Sequence, residues 1–334
     1  RPTRQLDRMM KKHRSHRTKS SYIALLCCLV TALSICCQQQ TEITDENPSL
    51  LQDEVDIEVL VNDDMDGSYV TAGLVKNNSD KLYTFHIKIL YYDDRNRLIG
   101  THSGLVRDLY PGTEQAFFVL TADDWSHAAR TDVKVTNIVS AEETSIRPDF
   151  EFGNISVYHH EHGTRVLGEV TNRDDAQYSI GILGAVFDEN GELMKANTHA
   201  IRNLYPGETR TFAVGVLGED TDATDGRVYL ESIVEVKPAQ GPPNITFSNL
   251  RMAYSSDIDR TSVQCDIANH DERGYRNIML LIGVYDENKL VRVTQASLSR
   301  IGSGETIPFD QMLFDGNLER QEVKIQIDSI EPEG

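Results

Sequence analysis

The stretch NLYPGETRTF at 203–212 occurs three times with changes. DLYPGTEQAF occupies 108–117 and RIGSGETIPF occupies 300–309. Leu109 and Leu204 are 95 residues apart, and Ile301 follows 97 residues later. Other segments recur at the same period. GLVKNNSDKLYT at 73–84 matches GEVTNRDDAQYS at 168–179 and CDIANHDERGYR at 265–276, while YYDDRNRL at 91–98 matches VFDENGEL at 186–193 and VYDENKL at 284–290. VKV at 133–135, VYL at 228–230 and VKI at 323–325 are read as the matching final strands. A chain with this period is a series of modules, each of about 90 residues and able to bury its own core.

The expected boundaries are 53–142, 150–240 and 244–334, joined by ETSIRPD at 143–149 and KPAQGPPN at 237–244. The second joint is rich in Pro and Gly, which predicts a short, stiff connector. Apolar residues alternate with polar ones at period two, the signature of half-buried strands. Thr71, Gly73 and Val75 form one inward row; Val166, Gly168 and Val170 form its equivalent, as do Val263, Cys265 and Ile267. Phe85, Ile87, Ile89 and Tyr91 form the next row, repeated by Ile180, Ile182, Gly184 and Val186. No long amphipathic helical stretch is present. About seven short strands per module predict an all-β fold: three tandem immunoglobulin-like Greek-key β-sandwiches.

Turn chemistry fits that reading. Pro111 and Pro206 suit the first central position of a type II turn, and Gly112, Gly207 and Gly304 the second, where φ is positive. Phe117, Phe212 and Phe309 follow at a constant distance as core residues. Asn190 and Gly191 predict a tight hairpin. Asn77, Asn172 and Asn269 each end a strand, where the side chain can bond the turning backbone. The third module has one extra residue between Tyr275 and Asp286 and one fewer before Ile301, which predicts a β-bulge offset by a shorter hairpin. With seven strands, the histidine tip YHHEHGT at 158–164, the DENG hairpin and the NLYPGET turn would share one end. NRDDAQ and DTDATDG would share the other.

These motifs resemble the bacterial FxLYD-type domain. The resemblance rests on Gly168 to Asn172, Phe187 to Gly191 and Leu204 to Glu208, and covers all three repeats. Gly302 and Ser303 replace the Tyr-Pro pair in the third, and Lys289 stands near its hairpin. The resemblance implies immunoglobulin-type modules of exported proteins and lipoproteins, with no enzymatic activity.

Charge and the N-terminal segment bear on location. Of 33 Lys and Arg, eight lie in residues 1–20; of 52 Asp and Glu, only Asp7 does. The remainder carries a net charge of about -26, which repels phosphate backbones and argues against a nucleic-acid partner. YIALLCCLVTALSICC at 22–37 is shorter than a spanning helix and matches a secretion-signal core. A polar tether, 38–52, follows. The chain opens on Arg1, with Met9 and Met10 as candidate starts. LSIC at 33–36 resembles a bacterial lipoprotein signal with Cys36 as lipid acceptor; Ile35 departs from the usual small residue, and Cys37 is the alternative acceptor. An uncleaved short anchor or an ordinary secretion signal are the other readings. The expected location is extracytoplasmic, at a membrane or cell surface. Four of five cysteines lie in this stretch, so the body, with Cys265 alone, forms no internal disulfide.

Candidate chemistry is sparse. His159, His160 and His162, with Glu161, offer nitrogen and oxygen to zinc or copper, although the corresponding segments of the other modules are plain polar hairpin tips. Asp63, Asp64, Asp66 and Gly67, and again Asp220, Asp222 and Asp225, resemble a calcium loop but lack its closing glutamate. No resident cofactor is expected; weak calcium or zinc binding is the alternative. No G-x-S-x-G elbow, phosphate cradle or H-E-x-x-H helix is present. Cys265 reads as a small buried residue, and Trp125 as a cap on the first sandwich or a partner anchor. The N-x-S/T sequons at Asn77, Asn154 and Asn244 read as incidental. The sequence therefore predicts a non-enzymatic, membrane-tethered array that binds a surface protein or glycan or acts as a spacer. Metal handling is the alternative, and a hydrolase a distant third.

Overall fold

A computed structural model describes residues 54–65, 68–123, 125–139, 148–160, 163–216, 222–237 and 241–333. The leader, Cys36, Cys37 and the tether lie outside the described residues, and so do His162 and Asp66.

Among the described residues, each repeat has six antiparallel strands. The first contains β1 (Val55–Met65), β2 (Ser68–Asn77), β3 (Tyr83–Tyr92), β4 (Leu98–Leu109), β5 (Glu114–Thr121) and β6 (Arg130–Val139). The second contains β7 (Phe150–His160), β8 (Gly163–Asn172), β9 (Tyr178–Phe187), β10 (Leu193–Leu204), β11 (Thr209–Val216) and β12 (Asp225–Glu235). The third contains β13 (Ile245–Ser255), β14 (Arg260–Asn269), β15 (Tyr275–Asp286), β16 (Lys289–Ile301), β17 (Thr306–Asp315) and β18 (Glu322–Pro332). In every module the second strand lies between the first and fifth, and the third lies between the fourth and sixth. The two three-stranded sheets face each other as an immunoglobulin-like sandwich. The inward rows read from sequence supply the cores: Val75, Phe85, Ile87, Ile89 and Tyr91 in the first module, Val166, Val170, Ile180 and Ile182 in the second, and Val263, Cys265 and Ile267 in the third.

The count of six corrects the expectation of seven. Leu193–Leu204 runs as one 12-residue strand along β9 instead of breaking into two. Losing one reversal also changes which loops meet. The backbone of Gly207 bonds Asn172 O at 2.9 Å, so the YPG turn lies with the NRDDAQ loop. His159 bonds Ala223 O, so the histidine tip lies with the DTDATDG segment. The predicted sharing of ends was therefore wrong for the turn and for that segment.

The conserved geometry of the ends has a simple source. Asn77, Asn172 and Asn269 are buried, and each ties two loops together. Asn77 Nδ2 donates to Lys81 O and Leu109 O, at 2.6 and 2.9 Å, while its Oδ1 accepts from Ser79 N at 2.9 Å. Asn172 repeats the pattern with Ala176 O, Leu204 O and Asp174 N, and Asn269 with Arg273 O, Gly302 O and Asp271 N. The adjoining turns are closed by i to i+3 bonds, Thr113 N to Tyr110 O at 3.1 Å and Glu208 N to Tyr205 O at 3.0 Å. Gly112, Gly207 and Gly304 have φ of 70°, 71° and 63°, the left-handed region a type II turn requires.

Small residues in the inward rows have a local cause. Gly73, Gly168 and Cys265 pair across the strand with Phe117, Phe212 and Phe309. The ring of the neighbouring strand lies over the small residue: a Cβ on Gly168 would fall 2.4 Å from Phe212 Cζ.

Hairpins differ between modules. Only Gly191 of DENG has positive φ, 80°, and Asp188 N bonds Glu192 O at 3.0 Å. This is a three-residue loop with a left-handed third residue, rather than a two-residue turn on Asn190 and Gly191. The third module does use a two-residue turn, with Glu287 and Asn288 at φ 48° and 68°. Its extra residue is Asn277, at φ 50°, where the β15–β18 register shifts. One alignment is corrected: Val228 pairs with Gly184 and Ile325 with Ile282, so VYL matches Ile325–Ile327, two residues beyond VKI.

Successive modules are stacked face on face. Ala72, Leu74, Ala116 and Phe118, on the outer face of β2 and β5, pack against Leu183, Ala185, Phe187, Leu193 and Ala196 of the second module. In the same way Leu167 and Ala213 pack against Leu281, Tyr285, Leu290 and Val293 of the third. The corresponding outer positions of the third module are polar, with Gln264 and Asp266 where Ala72 and Leu74 stand, as at the end of a repeat array. On the first module Lys88 stands where Leu183 and Leu281 do, while Leu90, Tyr92 and Leu98 take the places of Ala185, Phe187 and Leu193.

Candidate functional site

The histidine end of the second module was the most chemical-looking part of the sequence. His159 ends near β8 and the segment before β12. Its Nε2 is 2.9 Å from Ala223 O, and its Nδ1 is 3.0 Å from Thr164 Oγ1. A carbonyl only accepts, so Nε2 carries the proton and Nδ1 accepts from the threonine hydroxyl. One ring nitrogen ties the two strands of the hairpin together, and the other fastens the hairpin to the segment before β12. His160 points to the other side of the strand and stacks on Tyr158, ring centroids 5.8 Å apart. Asp64 lies in β1. Asp225 pairs with Arg227 at 3.0 Å. Among the described residues, no group of three His, Cys, Asp or Glu is placed to hold a metal ion.

The remaining candidates sit in structural roles. Cys265 is buried beside Phe309, and burial pushes its thiol up to about 11, far from thiolate reactivity. Trp125 stacks on core Tyr91 at 5.2 Å with its ring over Gly100, as a cap on the first sandwich. Asn77 has its side-chain amide committed to two carbonyls, and Asn154 has φ 52° and bonds Glu169.

The junctions between modules hold ionisable groups that no sequence motif announced. At the second junction Tyr285 Oη donates to Glu169 Oε1 at 2.6 Å, and Gln326 Oε1 accepts from Thr211 N at 2.8 Å. His199 is half-buried there, its Nε2 enclosed and without a partner; desolvation lowers its pKa, with Asp328 opposing. At the first junction Arg227 lies over the Phe187 ring and 3.6 Å from Glu114. Glu231 is half-buried nearby, and desolvation pushes its carboxyl up to about 7, with Arg107 opposing. These groups meet only because modules stack, so the signal within one repeat was limited to an apolar outward row, Leu183, Ala185 and Phe187.

No protein-family model and no curated protein matches the chain. Among solved structures, trypsin-activated α2-macroglobulin from Escherichia coli is similar at 10% identity over 77% of this chain and 22% of that one, with a TM-score of 0.16. The native conformation of E. coli α2-macroglobulin is similar at 10% identity over 78% of this chain and 20% of that one, with a TM-score of 0.14. The chain thus spans about a fifth of the length of either.

Proposed function

We propose that this chain is a non-enzymatic extracytoplasmic protein. Its three FxLYD-type modules serve as a spacer and binding array held at a membrane by the N-terminal segment. The observation that carries the reading is the face-on-face stack. Apolar sheet faces hold one module on the next, and a polar face ends the series at the third module. Such a construction presents the three modules as one body able to carry a binding surface. The basic stretch, the short apolar core and Cys36 or Cys37 support the location.

The test is fractionation and protease accessibility in intact cells that export the full chain. The body is expected in the membrane fraction and open to added protease. A Cys36→Ala, Cys37→Ala double variant is expected to leave that fraction. A body protected from protease until the cells are lysed would overturn the reading.

A further inference from the structure

We propose that the crevice between the first and second modules binds a guanidinium group, either the side chain of an arginine in a partner polypeptide or a free alkylguanidine. This goes beyond the spacer reading and does not depend on it.

The two junctions are equivalent but differently filled. At the second junction the space beside β10 is occupied by the chain itself. Arg210, only 2% exposed, donates to the carbonyls of Arg202 and Asn203 in its own module. It reaches Asp328 O of the next module at 3.4 Å and pairs with Glu208 at 2.6 Å. At the first junction Gln115 stands at the position of Arg210: Gln115 pairs with Val75 as Arg210 pairs with Val170. Thr113 stands where Glu208 does. The internal ion pair is therefore replaced by two shorter neutral side chains, and a crevice of about 320 Å³ is left open at that place.

The rest of the cradle is retained. Arg107 and Asp108 correspond to Arg202 and Asn203, with Asp108 and Asn203 both at positive φ, 47° and 52°. Glu231 corresponds to Asp328, each being the extra residue where the last strand shifts register. The lining carries Asp108, Glu114 and Arg107; Arg227 lies 3.6 Å from Glu114, and Glu231 lies near Arg107. Asp108 Oδ1 has no donor because Leu82 stands where Gln177 donates to Asn203 Oδ1. The acceptors a ligand would meet are the carbonyls of Arg107 and Asp108, which correspond to the two that take hydrogen bonds from Arg210, and a guanidinium supplies a planar set of donors suited to carbonyl and carboxylate oxygens. Tyr110 and Tyr229 line the same crevice and offer aromatic faces for a cation. The second junction thus shows, within the same molecule, the chemistry that this shape accepts.

The experiment is an NMR titration of the full chain with agmatine and with Nα-acetyl-arginine N-methylamide; acetyl-citrulline N-methylamide serves as the neutral control. The two cationic probes separate a free guanidine from an arginine side chain. One saturable site per chain is expected, with Kd on the order of 1 mM for a ligand of this size. The citrulline probe should bind at least tenfold more weakly. Gln115→Arg should fill the crevice from within, raise the melting temperature and abolish binding. Asp108→Asn, which places the residue found in the second module, should fold and weaken binding about tenfold. The proposal is overturned by no saturable binding up to roughly 50 mM, by equal binding of citrulline, or by binding unchanged in a folded Gln115→Arg or Asp108→Asn protein.

Discussion

Replacing Asn77 by Ala tests the physical reason the repeat keeps an asparagine at each strand end. The change removes the donor to the buried Leu109 carbonyl and to Lys81 O, and the acceptor for Ser79 N and Oγ. Stranding one buried carbonyl costs about 1–2 kcal/mol. The partly buried loop groups regain some water, at about 0.5 kcal/mol each. The expected loss is about 3 kcal/mol from the first module. Trp125 is the chain's only tryptophan and stacks on Tyr91 in that module's core, so its fluorescence reports the affected unit. In urea the midpoint should fall by about 2 M for a slope of about 1.5 kcal/mol/M. Asn77→Asp is the sharper control. It keeps the acceptor for Ser79 but turns a carboxylate toward two carbonyl oxygens, so at neutral pH it should cost more than Ala. Protonation gives back one donor, so that excess should shrink as pH falls. A loss below about 0.5 kcal/mol for Asn77→Ala, or an Asp variant no worse than Ala at neutral pH, refutes the reasoning.

Two further outcomes follow from the packing. Glu231 has a folded-state pKa of about 7, above the ordinary 4.5, so the native state binds the extra proton between those values and stability falls as pH rises through them. Glu231→Gln should therefore be near neutral at pH 4.5 and stabilising by up to about 3 kcal/mol at pH 8, read from paired thermal melts at the two pH values; an equal effect at both would contradict the assignment. Gly73→Ala should cost more than Gly168→Ala, because the added Cβ meets the fixed backbone oxygen of Glu58 at 1.9 Å as well as the Phe117 ring, whereas at Gly168 it meets side chains. Denaturant midpoints of the two variants give the order, with about 1–3 kcal/mol expected at Gly168.

Much of the fold was legible because the controlling interactions are local or occur within one repeat. Period-two alternation identified the inward rows, since a strand exposes alternate residues to opposite faces. The turn glycines were legible because positive φ excludes other residues at low cost. The asparagines were read as strand ends, though not as buried ties, since burial depends on the loop that folds over them. The strand count failed at Leu193–Leu204, where no Gly or Pro marks a break and none occurs. The two-residue slip at VKI preserved parity, so the pattern fitted either register. The junctions were hidden for a different reason. Leu183, Ala185 and Phe187 made β9 apolar on both sides, which signals a second covered face but not what covers it. The hydrogen bond of Tyr285 to Glu169 and the proximity of Glu231 to Arg107 span modules, and no single repeat contains both residues.

The three modules are joined through apolar sheet faces into one body, and not strung on connectors. Residual dipolar couplings measured for the backbone amides of all three modules in one aligned sample test this directly. The stack predicts that a single alignment tensor fits all three sets of couplings together. Three tensors differing in magnitude and orientation, each fitting only its own module, would contradict it.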